Sequence, residues 1–166
     1  EADYSWTSPS LNSSESMPCG GGDLGMNVWV ENGDILFYVA QSGAFDENNT
    51  LLKQGRFRIR LSPNPFFNAG DFRQTLKLSE GSVNISAGGV KIELWVDANK
   101  PVIHVDIKSK IAVSSEIRYE SWRYRNRLIT KPEGDQTSYK WATPAGLMTN
   151  RDSILADKNS LLFYHQ

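Results

Sequence analysis

The sequence predicts an all-β chain, an antiparallel β-sandwich with a long irregular lead-in and a loop excursion near 130–160. Three observations predict it. From residue 26 onward polar and apolar residues alternate with a period of two, the signature of a sheet with one buried and one solvated face. Gly, Asn and Pro punctuate those runs at hairpin spacing. At 166 residues, 39% hydrophobic and 22% charged, the chain suits one domain with a sizeable core, 1–166, and wholesale disorder is excluded.

The elements follow in order. Residues 1–22 are rich in Ser, Pro, Gly and Asn and read as an extended lead-in. Asn32-Gly33 between Met26–Glu31 and Ile35–Gln41 predicts a two-residue hairpin whose turn needs positive φ. Arg56–Leu61 puts three arginines on one face and Phe57, Ile59 and Leu61 on the other. Glu80-Gly81-Ser82, Gly88-Gly89 and Asn99-Lys100-Pro101 divide Phe72–Ser79, Val83–Ala87, Val90–Asp97 and Val102–Ser109 into a meander. A further strand is expected over Glu116–Tyr124. Pro132, Gly134, Pro144 and Gly146 mark the excursion, within which Asn150 is placed to cap a short helix over Arg151–Lys158. The run Leu161–Gln166 is apolar and strand-like, and the expectation is that the natural protein continues beyond it. A start at Glu1 without Met fits either a processed export signal or an imposed domain boundary.

Composition narrows the function classes. Eighteen basic against nineteen acidic residues give a formal net charge of -1, unlike a dedicated nucleic-acid binder. The longest clean apolar run, Ile35–Ala40, is far short of the ~20 residues of a membrane helix. One cysteine, Cys19, and two histidines, His104 and His165, leave no metal-site pattern and no Ser-His hydrolase pattern. No cofactor and no metal are expected.

Several segments carry candidate chemistry. Gly20–Gly25 has four glycines in six positions, but a strand follows where a phosphate loop needs a helix, so a tight turn is the preferred reading. Asp23, Asp46 and Glu47 are the only loop carboxylates suited to glycoside hydrolysis, which needs a pair across the scissile bond. Trp29 and Trp95 fall on the polar faces of their strands, where an indole stacks on a sugar ring or meets a covering domain. The patch they would form is expected to face such a domain. Arg118–Arg127 interleaves bases with aromatics as single-strand binders do, and Trp122 and Arg123 lie within it. Glu116 and Glu120 interrupt it, favouring a solvated strand end. His104 reads as a surface imidazole near Asp106.

Trp6 and then Ser16-Met17-Pro18-Cys19-Gly20-Gly21-Gly22-Asp23-Leu24-Gly25-Met26-Asn27-Val28 resemble the N-terminal signature of glycoside hydrolases related to the family 95 α-L-fucosidases. Pro18, Gly20, Gly22, Leu24 and Gly25 match that pattern, while Gly21 stands for its Asn and Asp23 for its Arg. Ile35–Tyr38, Gly55–Leu61 and Ser62-Pro63-Asn64-Pro65-Phe66 are more similar to an uncharacterised bacterial group with this domain at the N-terminus of glycosidase-like proteins. The resemblance implies a β-sandwich followed by an (α/α)6 barrel that holds the catalytic carboxylates, so no catalytic residue is carried onto this chain. It further implies export to a periplasmic or extracellular space. The expected function is a non-catalytic N-terminal domain of a carbohydrate-active enzyme, packed on its own catalytic barrel and shaping the cleft. A free-standing carbohydrate-binding module and a small complete glycosidase are the alternatives. Asp23, Trp29, Asp46, Trp95, Trp122 and Arg123 are the candidates for glycan or domain contact; no nucleic-acid partner is expected.

Overall fold

The computed structural model describes residues 3–165; Glu1 and Gln166, on which the expectations about processing and continuation rest, lie outside the described residues. In chain order the elements are β1 (Tyr4–Trp6), a 3-10 turn (Ser13–Glu15), β2 (Met17–Gly21), β3 (Leu24–Glu31), β4 (Asp34–Phe45), β5 (Leu51–Ser62), β6 (Arg73–Lys77) and β7 (Ser82–Ala87). They continue as β8 (Val90–Val96), β9 (Ile103–Ser109), β10 (Ser114–Glu120), β11 (Arg127–Leu128), α1 (Lys131–Gly134), β12 (Met148–Thr149), β13 (Ser153–Asp157) and β14 (Ser160–Tyr164). Two compact units result: residues up to Ser42 with Gln54–Glu120, and Gly43–Lys53 with residues from Ser121 on.

The first unit is the sandwich. One antiparallel sheet has the order β1-β6-β7-β8-β9 and the other β10-β5-β4-β3-β2. Their inner faces share one core, with Val28, Val30, Ile35, Ile59 and Leu61 from one sheet and Val83, Ile85, Ile92 and Leu94 from the other. Each such side chain gains about 1.5–3 kcal/mol over exposure, so the alternation itself drives the two sheets together. Asn32 and Gly33 have φ of 51° and 82°, the type I′ pair that matches strand twist, and Glu31 faces Asp34 across the turn. A side chain at position 33 would also meet the Phe67 ring at 2.5 Å.

The lead-in holds more structure than its composition implies. β1 and β2 add edge strands, and Pro18 is tolerated in β2 because an edge strand needs no N–H on its open side. The strand expected over Glu116–Tyr124 is displaced to Ser114–Glu120. Its register with β5 runs from Ser114 opposite Ser62 to Glu120 opposite Arg56. The next β5 residue, Gly55, has φ 125° and lies under the Tyr119 ring, which ends the ladder there.

The second unit contains the far ends of β4 and β5, the β11–β12 pair, α1 and the β13–β14 hairpin. Among its described residues no apolar side chain is buried; the buried polar ones are Asn48, Thr137 and Thr149. The helix expected over Arg151–Lys158 is a strand instead. Ile154 pairs with Phe163 and Leu155 with Leu162, and the Asn150 N–H donates to Glu47 Oε1 at 2.6 Å, so Asn150 starts no helix.

Candidate functional site

The outer face of the first sheet is built by register. Arg73, Ser86, Lys91 and Lys108 stand in one cross-strand row, and Thr75, Asn84, Glu93 and Asp106 in the next. Lys77, Ser82, Trp95 and His104 form the third. Side chains from the first two rows, with Lys77, line a shallow cavity of about 310 Å³. Trp95 is half-buried and stacks on His104, with centroids 4.8 Å apart and planes at 11°. His104 Nε2 lies 3.9 Å from Asp97 Oδ2. Asp106, two residues along the same face of β9, stands opposite Glu93, as His104 stands opposite Trp95.

The second sheet shows how an apparently cationic face is neutralised. Arg56, Arg58 and Arg60 point outward as the alternation predicts, but Asp34 and Glu120 meet them. Asp34, 1% exposed, accepts from Arg58 Nη1 at 2.7 Å and from Arg60 Nε and Nη2 at 2.8 Å each. The Arg60 bonds hold its carboxyl below the usual carboxylate range against the opposing effect of burial, with Arg58 adding to them. Burial pushes the Glu120 carboxyl up, but hydrogen bonds from Arg58 and Arg56 outweigh it and leave the group low. Trp29 shares this face yet is 0% exposed. Its ring lies 4.8 Å from Tyr38 and its Nε1 donates to Glu31. The 3-10 turn packs along β3 and the Ser10 N–H donates to the Val30 carbonyl, a cover that strand alternation does not encode. The exposed patch expected from Trp29 and Trp95 is therefore not formed.

In the second unit a polar chain links distant segments. His165 Nε2 lies 2.7 Å from Glu47 Oε2 and His165 Nδ1 lies 3.2 Å from Asp152 Oδ1. Asp152 Oδ1 also accepts from Arg123 Nε and Nη2 at 3.0 and 2.7 Å. Arg123 Nη1 is buried without a hydrogen-bond partner. Burial raises the Glu47 carboxyl, but bonds from its own backbone N–H, Asn150 and His165 prevail and lower it. No sequence signal announces this chain, since Glu47 and His165 are 118 positions apart.

The remaining candidates divide between these surroundings. Asp23 is an exposed residue of the β2–β3 turn, where its carbonyl accepts from the Ser42 N–H. Asp46 Oδ1 accepts from the Asn48 and Thr50 N–H groups at 2.9 and 2.8 Å, which makes it a turn former. Trp122 is 44% exposed. Within the interleaved segment Arg118 pairs with Glu116, Arg123 with Asp152 and Arg127 with Glu133, so three of its four arginines already face carboxylates. Among the described residues no three His, Cys, Asp or Glu side chains converge as metal ligands, and no helix is long and apolar enough to cross a membrane.

The loop carboxylates are thus committed to turns and ion pairs, while the ordered polar cavity lies on a sheet face. Such an arrangement defines an all-β sandwich domain. The chain belongs to the N-terminal domain family of the domain of unknown function DUF5703, whose family model matches residues 5–166. A search of the curated proteins finds no match.

Proposed function

We propose that this domain is the non-catalytic N-terminal part of a carbohydrate-active enzyme, docking through its second unit on another domain of the same polypeptide and shaping the substrate cleft there. The β13–β14 hairpin carries the proposal. Leu155 and Leu162 are 57% and 58% exposed on one of its faces, and Ile154 and Leu161 are 43% and 42% exposed on the other. A two-stranded hairpin is marginal alone and bare apolar faces are rare on finished surfaces, so this one calls for a cover. Trp141, 92% exposed, adds to the same unit's apolar surface. The glycoside hydrolase resemblance of residues 6–66 supplies the carbohydrate context, and export follows from the same reading. The second reading, a free-standing carbohydrate-binding module, draws on the cavity beside Trp95.

Hydrogen exchange tests the docking. In the protein of the full reading frame, amides of 153–164 are expected to exchange at least about tenfold more slowly than in the 166-residue chain, a difference that Leu155→Lys with Leu162→Lys removes. Equal exchange in both proteins would overturn the docking. The isolated chain is expected to show no turnover on aryl-glycosides; hydrolysis lost on Asp23→Asn or Asp46→Asn would promote the small-glycosidase alternative. Cell fractionation checks the export.

A further inference from the structure

We infer that the outer face of the first sheet binds a carboxylate-bearing oligosaccharide, with the sugar carboxylate held by Arg73, Lys91 and Lys108. This names the ligand class for the carbohydrate reading above and rests on it. Arg73, Lys91 and Lys108 share one cross-strand row, separated only by the small hydroxyl of Ser86. Lys91 and Lys108 stand directly opposite one another, a like-charge pairing that destabilises a sheet unless an anion sits between. Among the described residues none of the three makes an ion pair within 4.0 Å, whereas the arginines of the second sheet are bound to Asp34 and Glu120. The same protein therefore pairs the arginines of one face with its own carboxylates and leaves these three cations without an ion-pair partner among the described residues, beside a cavity of about 310 Å³. That volume sits at the lower end of ordinary small-ligand sites.

The neighbouring row decides between kinds of anion. Glu93 and Asp106 also face each other, two residues or ~7 Å along the strands from the lysines. A nucleic acid or a heavily sulfated chain, whose rings carry few free hydroxyls beside their charges, would lay a second anion on those carboxylates. A uronate oligosaccharide bears free ring hydroxyls beside each carboxylate. Its hydroxyls can donate to Glu93 and Asp106 and pair with Asn84, since ionised carboxylates only accept and an amide does both. The Trp95–His104 stack lies one row further and limits the site with an aromatic edge. The third row's cation, Lys77, is engaged by Asp3 at 2.8 Å and stands apart from the proposed grip.

Calorimetric titration of the 166-residue chain at physiological salt tests this, with trigalacturonate, neutral galactotriose, heparin and a single-stranded oligonucleotide as probes. Trigalacturonate is expected to bind at least about tenfold more tightly than galactotriose. Lys91→Ala with Lys108→Ala should abolish that preference, and Lys91→Arg with Lys108→Arg should keep it; both residues are exposed, and circular dichroism checks each fold. Equal binding of the two trisaccharides, untouched by the alanine variant, would overturn the inference while leaving the carbohydrate reading in place. No binding of either at about 1 mM would overturn it too, with the docking reading still judged by hydrogen exchange. Heparin or oligonucleotide binding as tight as trigalacturonate, lost in the alanine variant, would make this a general polyanion patch and overturn it as well.

Discussion

Each of the two units of this chain coheres by a different force. In the first, two five-stranded sheets enclose a continuous apolar core whose members include Val28, Ile35, Ile59, Val83 and Leu94. In the second, the buried side chains among the described residues are Asn48, Thr137 and Thr149, and its segments are joined by hydrogen bonds and ion pairs. Asn48 Nδ2 donates to the Met148 carbonyl at 2.7 Å, and Thr137 Oγ1 donates to the Gly134 carbonyl at 2.8 Å. Apolar burial supplies most of a domain's favourable free energy, and hydrogen bonds give a smaller net gain each. The difference teaches that the first unit is self-sufficient, whereas the second leaves its apolar residues on the surface.

One substitution made in both places gives the largest contrast. Leu94→Ala removes a side chain that is 0% exposed, at an expected cost of about 3 kcal/mol in denaturant-derived stability. Leu162→Ala removes one that is 58% exposed and is expected to change stability by less than ~0.5 kcal/mol. Similar costs at the two sites would mean that the hairpin is already covered in the isolated chain, and would break the comparison. Next in size is Gly33→Val, expected to cost about 2 kcal/mol. It places a β-branched residue at φ 82° and drives its Cβ against the Phe67 ring. An unchanged thermal midpoint would remove the type I′ turn from the account of β3 and β4.

This division also governs how much is legible in the sequence. The sandwich is legible because each strand reports its own burial: Arg56–Leu61 and Val90–Val96 alternate, and Asn32-Gly33 and Gly88-Gly89 mark the reversals locally. Where burial depends on something distant, the pattern misleads. Trp29 reads as solvated from its neighbours Asn27 and Glu31, yet the lead-in packs along its strand. The segment after Asn150 has helix-cap chemistry, but pairing of Ile154 and Leu155 with Phe163 and Leu162 prevails. The cationic row of the first sheet is half legible. Each member sits at an alternating position, but only the register shows that Lys91 and Lys108 face each other.

A charge in the first unit sharpens the comparison through pH. Asp34 is enclosed, and its folded carboxyl lies below the ordinary value near 3.9 because of the Arg60 and Arg58 bonds. A depressed folded pKa contributes stability that is present in full above the unfolded value and is lost as pH falls through the folded one. Urea midpoints of the wild type are therefore expected to fall between about pH 4 and that lower value. Asp34→Asn should cost about 2 kcal/mol near neutrality, where two arginines lose their carboxylate, and its midpoint should depend less on pH in the acid window. Parallel pH profiles for the two proteins would show that Asp34 does not titrate from this pair.

The smallest effect belongs to the second unit, where an ion pair stands in for a core. Glu133, in the single turn of α1, accepts from Arg127 and from the N–H and hydroxyl of Thr130 at 2.9 and 2.8 Å. The Arg127 bond is the main reason that its carboxyl is lowered from 4.5 to about 2; burial opposes it and the Thr130 bonds assist. The sign is that of Asp34, so the linkage is complete above about pH 4.5 and lost as pH falls through about 2. Glu133 is 42% exposed, and water and salt screen the pair, so global unfolding is a poor readout. A carbon-detected NMR titration of the Glu133 carboxyl reads it directly. The wild-type midpoint is expected near 2, Arg127→Gln should return it toward 4.5, and Thr130→Val, which removes the hydroxyl but keeps the N–H, should move it by less. A wild-type midpoint already at 4.5 would mean that the pair is open in solution, and that the second unit lacks one of the polar links that here replace apolar burial.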